Sequence, residues 1–193
     1  MVVEDTIDME FVGVGDIKIP VERVPVLIGR EGTTKKKIEK LGNVWLNIDS
    51  ETGEVKIIQT GDPILASVTV GVVQAIGRGF SPERAQYLYN DGFQLIVIPL
   101  REFAKSGSRR ITQVRGRVIG REGRTRKIIE ELTSTYVSVY GDTVSIIGDY
   151  LSINYSKEAI MKLLNGSKHK TVYKYLEHLS REIRFKKIEE TFG

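Results

Sequence analysis

Apolar and polar residues alternate along two separate stretches of the chain, 44–49 and 136–140. A period of two is typical of a β-strand that buries one face. A second apolar stretch follows each of these after a short gap, at 54–60 and at 144–147. The pattern therefore predicts two pairs of neighbouring strands.

Apolar residues at helical spacing fill most of the remaining chain. The predicted helices lie at 24–28, 33–41, 63–77, 82–89, 150–164 and 171–188, and two further strands lie at 11–19 and 93–98. Ser81 and Pro82 have the residue types expected at an N-cap and a first helical position. Strands and helices that are mixed in this way predict an α+β chain.

The chain also repeats itself. Ile28-Gly29-Arg30-Glu31-Gly32 returns as Ile119-Gly120-Arg121-Glu122-Gly123, and 10 of the 14 positions in 28–41 are identical to those in 119–132. The order of the predicted elements around the two glycine loops is the same. Two copies are too few for a solenoid, which needs at least three stacked repeats, so the chain is predicted to be a tandem pair of domains.

The predicted domains span 1–90 and 91–193, joined near Asn90-Asp91-Gly92, where turn-forming residues cluster. The first domain begins with an acidic segment. The second carries an insertion of about 12 residues before its glycine loop, from Arg101 to about Arg115, which is rich in basic residues, and it ends in a basic helix.

Composition narrows the function classes. The 193 residues carry a formal net charge of +4, which permits a nucleic acid partner without requiring one. The absence of cysteine excludes disulfides, thiol nucleophiles and cysteine-based zinc sites. No apolar run approaches the ~20 residues of a membrane span, and the acidic N-terminus is unlike a secretory signal. We expect a cytoplasmic protein without a membrane partner.

The residues required by common enzyme classes are missing. The two histidines, His169 and His178, are nine positions apart and so lie on opposite sides of a helix, which excludes an i, i+4 metal pair. The sequence contains no G-x-S-x-G, no Walker loop and no complete G-x-G-x-x-G. We predict a protein that is not an enzyme and that has no metal site and no cofactor.

The glycine loops carry the candidate chemistry. Two glycines three positions apart allow a ligand backbone to approach closely, and the helix that follows offers unpaired N–H groups to an anion. Arg30 and Arg121 add a positive charge to each loop. One such loop alone is more often a tight turn between helices, but two copies within the same order of elements favour binding of a sugar-phosphate chain.

The order strand, helix, G-x-x-G loop, helix, strand, strand, helix resembles the KH domain. That resemblance implies two tandem type I KH domains, each a three-stranded sheet packed on helices, whose loops clamp about four single-stranded nucleotides. The candidate RNA-binding residues are Ile119, Gly120, Arg121, Glu122, Gly123, Arg124, Thr125, Arg126, Lys127, Arg115 and Arg117 in the second copy, and Ile28, Gly29, Arg30, Glu31, Gly32, Thr33, Lys35 and Lys36 in the first.

Charge ranks the two copies. Nine basic residues and one acid, Glu122, lie in 105–127, whereas six basic residues and two acids lie in 23–40. Crowded positive charge is costly unless an anion relieves it. We therefore expect the second copy to be the principal RNA clamp, and the first to be an accessory clamp or a protein-binding surface.

Apolar residues near each loop are predicted to form the floor of the RNA groove. They are Ile119, Ile128 or Ile129, Val137 and Val139 in the second copy, and Ile28, Ile38, Leu46 and Ile48 in the first. Trp45 and Tyr136 occupy matching strand positions and face away from Leu46 and Val137 by alternation. For these two aromatic residues a packing role is at least as well supported as base stacking.

The run Arg115-Gly-Arg-Val-Ile-Gly-Arg-Glu-Gly-Arg-Thr, together with the paired loops, is similar to archaeal members of the partner-of-Nob family. The resemblance implies a factor in small-subunit ribosome maturation that holds the 3′ region of the small-subunit rRNA. It also implies two protein partners, the Nob endonuclease and the alpha subunit of translation initiation factor two. We expect the chain to be a monomer.

Three points stay open at this stage. The chain could instead be a general single-strand RNA binder or an exosome-type subunit, or a protein-interaction scaffold that keeps only the KH shape. Eukaryotic members of the family have a degenerate first loop, whereas Gly29 and Gly32 are intact here. The resemblance thus leaves open whether the first copy binds RNA or a protein.

Overall fold

The computed structural model describes residues 13–105 and 107–192, and it describes no side chain at 182–184 or 186–192. The predicted start of the first strand and the acidic N-terminal segment lie outside these residues. The strands are β1 Gly13–Lys18, β2 Val44–Ile48, β3 Glu54–Gln59, β4 Phe93–Pro99, β5 Tyr136–Tyr140 and β6 Thr143–Asp149. The helices are α1 Val24–Ile28, α2 Thr33–Gly42, α3 Pro63–Gly77, α4 Pro82–Ala85, α5 Arg109–Ile119, α6 Arg124–Thr133, α7 Ser152–Leu164 and α8 His169–Phe192.

Two antiparallel three-stranded sheets confirm the predicted α+β fold, with strand orders β1-β3-β2 and β4-β6-β5. The edge strands β2 and β5 each follow the helix that begins at a glycine loop. In register, Leu46 faces Ile57 and Val137 faces Ile146, and all four are buried. The predicted alternation is confirmed in β2, where Trp45 and Asn47 are exposed. In β5, Ser138 on the opposite face is buried as well, so burial does not alternate there.

The contacts divide the chain into two compact units, Met1–Gln74 and Ala75–Gly193. In the first unit, the apolar faces of α1, α2 and the central strand are buried, as Leu27, Ile38 and Val55 show. In the second unit, α5, α6 and α7 bury their apolar faces with the sheet in one continuous core. The helix α8 packs on α6 and α7 and adds Val172 and Leu176 to that core.

The division at 74/75 differs from the predicted boundary at 90/91. Residues 75–90 belong to the second unit because they cover the face of its sheet that points away from the core. The Ser138 hydroxyl donates to the Arg78 carbonyl oxygen at 2.8 Å, and the turn at 86–89 packs on β4 and β6. Phe80 and Leu88 of this segment are buried.

The predicted helix at 82–89 is only partly regular. Ser81 caps it as predicted, since its hydroxyl accepts a hydrogen bond from the Arg84 N–H. The α-helix ends at Ala85, and Gln86–Tyr89 continue as a 3-10 helix. None of the helices in the described part of the chain combines the length and the apolar character needed to cross a membrane.

The predicted insertion between β4 and the second glycine loop forms a 3-10 turn and lengthens the helix before the loop. That helix, α5, has 11 residues, whereas α1 has 5. Ser108 starts α5 by accepting a hydrogen bond from the Ile111 N–H. The extra turns carry basic side chains that the first unit lacks at this place.

Candidate nucleic-acid interface

The two glycine loops have the same backbone conformation. The first glycine has φ 73° and ψ 173° at Gly29, and φ 73° and ψ 176° at Gly120. Only glycine adopts this region readily. A Cβ atom on Gly120 would lie 2.1 Å from Thr125 Oγ1, and one on Gly29 would lie 2.2 Å from Thr34 Oγ1. The threonine behind each loop therefore requires a glycine at its first position.

The two middle residues of each loop are exposed to solvent. Arg121 and Glu122 are exposed, and Glu122 has a left-handed φ of 53°. The helix α6 then begins at Arg124, and no side chain caps its first turn. The N–H groups of that turn and the Arg121 guanidinium thus face the same solvent, which is the arrangement that binds phosphate.

Several of the predicted contact residues lie beside the second loop with exposed side chains. Arg124 and Lys127 are exposed, and Arg115 is half-buried. The Nε atom of Arg126 lies 3.9 Å from Glu130 Oε2. Beside the first loop, Lys36 is exposed, Lys35 Nζ lies 3.8 Å from Glu39 Oε1, and the Thr33 hydroxyl donates to the Arg30 carbonyl oxygen.

Two other predicted contact residues have internal partners. Arg117 donates from Nε to the Leu163 carbonyl oxygen at 2.8 Å and from Nη2 to the Ser167 carbonyl oxygen at 2.6 Å. The first bond satisfies a carbonyl group in the last turn of α7, and the second satisfies one in the connection to α8. The Thr125 side chain is buried, and its hydroxyl lies 2.8 Å from the Tyr173 hydroxyl. Both residues thus hydrogen-bond to other parts of the chain and hold the elements around the loop together.

A glutamate ties each loop helix to the edge strand beside it. Glu130 Oε1 accepts a hydrogen bond from the Val137 N–H at 2.8 Å, and Glu39 Oε1 accepts one from the Leu46 N–H at 2.9 Å. The Glu130 side chain is only 13% exposed, so it is not a solvated surface carboxylate. Its identity with Glu39 in the repeat was the signal for this shared role.

The predicted groove floor separates into core and surface residues. Ile38, Ile129, Leu46 and Val137 are buried in the cores. The apolar residues that keep partial exposure are Ile28 and Ile48 in the first unit, and Ile119, Ile128 and Val139 in the second. Only these five partly exposed residues are open to a ligand. The apolar floor of the groove therefore contains fewer residues than predicted.

The matched aromatic residues behave differently in the two units. Tyr136 packs against Tyr87, with ring centroids 5.0 Å apart, and the Arg84 guanidinium lies 5.0 Å from the Tyr136 ring centroid. A hydrogen bond with Tyr87 and burial raise the pKa of the Tyr136 phenol. Trp45 is 56% exposed. Tyr136 thus has the packing role that was one of the two interpretations.

Taken together, paired G-x-x-G loops on three-stranded sheets, each with basic side chains and an open helix N-terminus, define a tandem KH protein. Comparisons with known proteins agree: the family model for the second KH domain of Pno1, a "Eukaryotic type KH-domain (KH-domain type I)", matches residues 94–181. A KH domain-containing protein of Methanocaldococcus jannaschii is 44% identical over 90% of this chain and 77% of its own length.

Two further proteins narrow the family. The chain of Dim2p in the crystal structure of an a/eIF2alpha-aDim2p-rRNA complex from Pyrococcus horikoshii OT3 has a TM-score of 0.84 and 47% identity, over 91% of this chain and 97% of that one. The pre-rRNA-processing protein pno1 of Emericella nidulans is 24% identical over 73% of this chain, which spans 52% of that protein. The chain belongs to the archaeal branch of the partner-of-Nob family, whose members are named Pno1 and Dim2.

Proposed function

We propose that the protein is a non-catalytic RNA-binding factor in maturation of the small ribosomal subunit, and that it holds the 3′ region of the small-subunit rRNA. One observation carries the proposal: the same phosphate-binding loop geometry occurs twice, at Gly29–Gly32 and at Gly120–Gly123. The likeness to a Dim2p chain crystallised with rRNA and to a pre-rRNA-processing protein supports the choice of RNA.

Both loops take part in this proposal. The first glycines of the two loops share φ, and their ψ angles differ by only a few degrees. An intact backbone at the first loop favours RNA over a purely protein-binding role there. The second loop is the stronger clamp, because Arg124 replaces Thr33 at the start of its helix and because Arg109 and Arg110 add exposed positive charge on α5.

The proposal includes two protein partners and a setting. The alpha subunit of initiation factor two is the better supported partner, since the Pyrococcus Dim2p chain was crystallised with a/eIF2alpha. The Nob endonuclease follows from the family resemblance alone, the cytoplasmic location follows from the sequence pattern, and a monomeric state completes the proposal. The RNA contacts do not depend on any of them.

Fluorescence anisotropy with a short RNA of the small-subunit rRNA 3′ end tests the proposal, with a shuffled strand of equal composition as the control. We expect tight binding to the first RNA and weaker binding to the second. Equal binding to both would make the protein a general RNA binder or an exosome-type subunit. No binding to either would favour the protein-interaction scaffold.

A paired substitution in each loop tests the site. Arg121→Asp with Glu122→Asp places two carboxylates where phosphate binds, and we expect the affinity for the rRNA 3′ end to fall by about tenfold or more. Arg30→Asp with Glu31→Asp makes the same change in the first loop and should weaken binding less. Unchanged affinity in the first variant, with an unchanged circular dichroism spectrum, would remove the second loop from the site.

A further inference from the structure

A pocket of about 620 Å³ lies behind the second glycine loop, on the side of α8. We call it the α8 pocket. It is lined by Gln113, Gly116 and Arg117 of α5, Gly120 and Arg121 of the loop, Arg124 and Thr125 of α6, and His169 and Tyr173 of α8. Three consecutive elements thus surround one concave surface together with α8, which is distant from them in sequence.

The α8 pocket and the groove flank opposite sides of α6. Thr125 faces α8, since its hydroxyl lies 2.8 Å from the Tyr173 hydroxyl. Glu130 faces β5, since it accepts the Val137 N–H. Five positions at 100° each place Thr125 and Glu130 about 140° apart around the helix. The glycine loop at the start of α6 therefore lies between the two surfaces.

The lining of the α8 pocket is positively charged. It contains three arginines and one histidine, and it contains no carboxylate. Arg117 uses its Nε and Nη2 donors on carbonyl groups of the chain, but its charge remains. Arg121 and Arg124 are exposed and form no salt bridge with any described residue. Uncompensated positive charge in a concave surface attracts anions.

The polar groups of the α8 pocket are held in place. His169 Nε2 lies 2.9 Å from the Arg117 carbonyl oxygen, and Tyr173 is fixed by Thr125. The first unit has the same loop with Thr34 behind it, but within residues 13–74 no element corresponds to α8. The pocket is thus an addition to the second KH domain and does not follow from the shared loop.

We propose that the α8 pocket binds phosphate groups of the RNA that continue beyond the nucleotides held in the groove. The strand would cross the second loop and place at least one further phosphodiester between Arg121, Arg124 and the α8 side chains. The second domain then holds a longer RNA segment than the four nucleotides of a single KH groove. This inference rests on the proposed RNA-binding function.

A charge placed on one side of α5 tests the α8 pocket. Gln113 lines the pocket and is exposed, and Thr112 is an exposed neighbour outside the lining. Gln113→Glu adds a carboxylate to the pocket, whereas Thr112→Glu adds the same charge to the same helix about 100° away. Anisotropy of the full chain is measured with two RNAs of the small-subunit rRNA 3′ end, a tetranucleotide and a decanucleotide.

We expect Gln113→Glu to weaken decanucleotide binding by about three- to tenfold and tetranucleotide binding by less than about twofold. Thr112→Glu should change neither by more than about twofold. The log–log salt slope for the decanucleotide should become shallower by about 0.7 in Gln113→Glu only, as one phosphate contact is lost.

Three results would overturn the inference: equal effects of the two variants, equal weakening of the two RNAs by Gln113→Glu, or a wild-type protein that binds the decanucleotide no more tightly than the tetranucleotide. In each of these cases wild-type binding to RNA persists, so the proposed function stands. Absence of wild-type binding to both RNAs would overturn the proposed function and this inference together.

Discussion

The middle glutamate of each glycine loop has an uncommon backbone conformation. Glu31 and Glu122 both have φ 53°, a region that costs a residue with a side chain about 1–2 kcal/mol. Asp and Asn tolerate this region better than most residues. Replacing Glu122 by Asp is therefore mild for the backbone, and the paired aspartate variant of the loop reports on charge more than on folding.

The two glycines of the second loop should respond differently to substitution. Gly120 has φ 73° and ψ 176°, and a Cβ there meets Thr125 at 2.1 Å. Gly123 has φ 75° and ψ 9°, and a Cβ there meets nothing within 4 Å. We expect Gly120→Ala to lower the free energy of unfolding by at least about 3 kcal/mol and Gly123→Ala by about 1 kcal/mol. Urea denaturation measures both.

The first loop supplies an internal check on that difference. A Cβ on Gly29 would meet Thr34 at 2.2 Å, whereas the nearest atom to a Cβ on Gly32 is the flexible end of Lys36 at 4.0 Å. The same ranking should therefore hold for Gly29→Ala and Gly32→Ala. Equal losses at the two glycines of either loop would contradict the role assigned to the threonine behind it.

The glutamate that ties α6 to β5 should matter more as an acceptor than as a charge. Glu130→Ala leaves the Val137 N–H without its partner and removes the contact to Arg84 at 3.1 Å. We expect a loss of about 2–3 kcal/mol in the free energy of unfolding. Glu130→Gln keeps an acceptor oxygen, and its loss should be about 1 kcal/mol. Urea denaturation distinguishes the two.

Glu39 is the matched residue in the first unit. It accepts the Leu46 N–H, and it forms a longer ion pair of 3.8 Å with Lys35. Compared with alanine, glutamine should therefore recover more of the lost free energy of unfolding at position 39 than at position 130. If glutamine is no better than alanine at either position, the hydrogen bond to the strand edge does not stabilise the fold.

The contact between α7 and α8 depends on an ionised carboxylate. The Tyr175 hydroxyl donates to Glu158, and Lys162 Nζ lies 3.2 Å from the same side chain. The hydrogen bond from Tyr175 lowers the pKa of the Glu158 carboxyl. A lowered folded-state pKa stabilises the fold above the unfolded pKa of about 4.3, and this contribution is lost as pH falls through the folded value.

We therefore expect wild type to have a higher Tm than Glu158→Gln at pH 7, and this Tm difference to shrink progressively as the pH falls below about 4.3. Thermal unfolding followed by circular dichroism at several pH values measures it. Tyr175→Phe removes the donor of the same hydrogen bond. It should therefore lose the same pH-dependent part of the Tm. A Tm difference for Glu158→Gln that stays constant from pH 7 to pH 3 would contradict the assigned cause.

Local pattern was sufficient to predict most of the elements. The helix at 63–77 was predicted with its observed limits, and α2 begins at Thr33 as predicted. Alternation located β2 because that strand buries one face only, and it located β5 although a second cover buries Ser138 on the other face as well. The glycine loops were predictable as candidate sites because the repeat places the same residues before the same kind of helix.

Contacts between residues far apart in sequence could not be predicted in this way. Thr125 and Tyr173 are separated by 48 positions, and Arg117 and Ser167 by 50. A threonine beside a glycine loop has the same pattern whether it is exposed or lies under another helix. The sequence therefore placed Thr125 and Arg117 among the RNA contacts, and it gave no sign of the α8 pocket.

At the scale of the whole molecule, the segment between the two glycine-loop repeats belongs to the second unit. Its side chains cover the face of the second sheet opposite the helices, where Tyr136 and Ile147 face each other across β5 and β6. Ile147 is fully buried although it points away from the core helices. A sheet face of this kind would expose a large apolar surface without its cover.

The position of the boundary can be tested with two fragments. Fragment 75–193 keeps the segment, and fragment 91–193 begins at the predicted boundary. Without the segment the fragment loses the burial of Phe80 and Leu88 and the packing of Tyr87 on Tyr136. Two buried apolar side chains and an aromatic pair contribute about 3 kcal/mol or more. We expect 75–193 to unfold in urea with a higher free energy of unfolding than 91–193 by at least that amount. Equal free energies of unfolding would show that residues 75–90 do not stabilise the second domain. The domain boundary would then lie at 90/91, as predicted from the sequence.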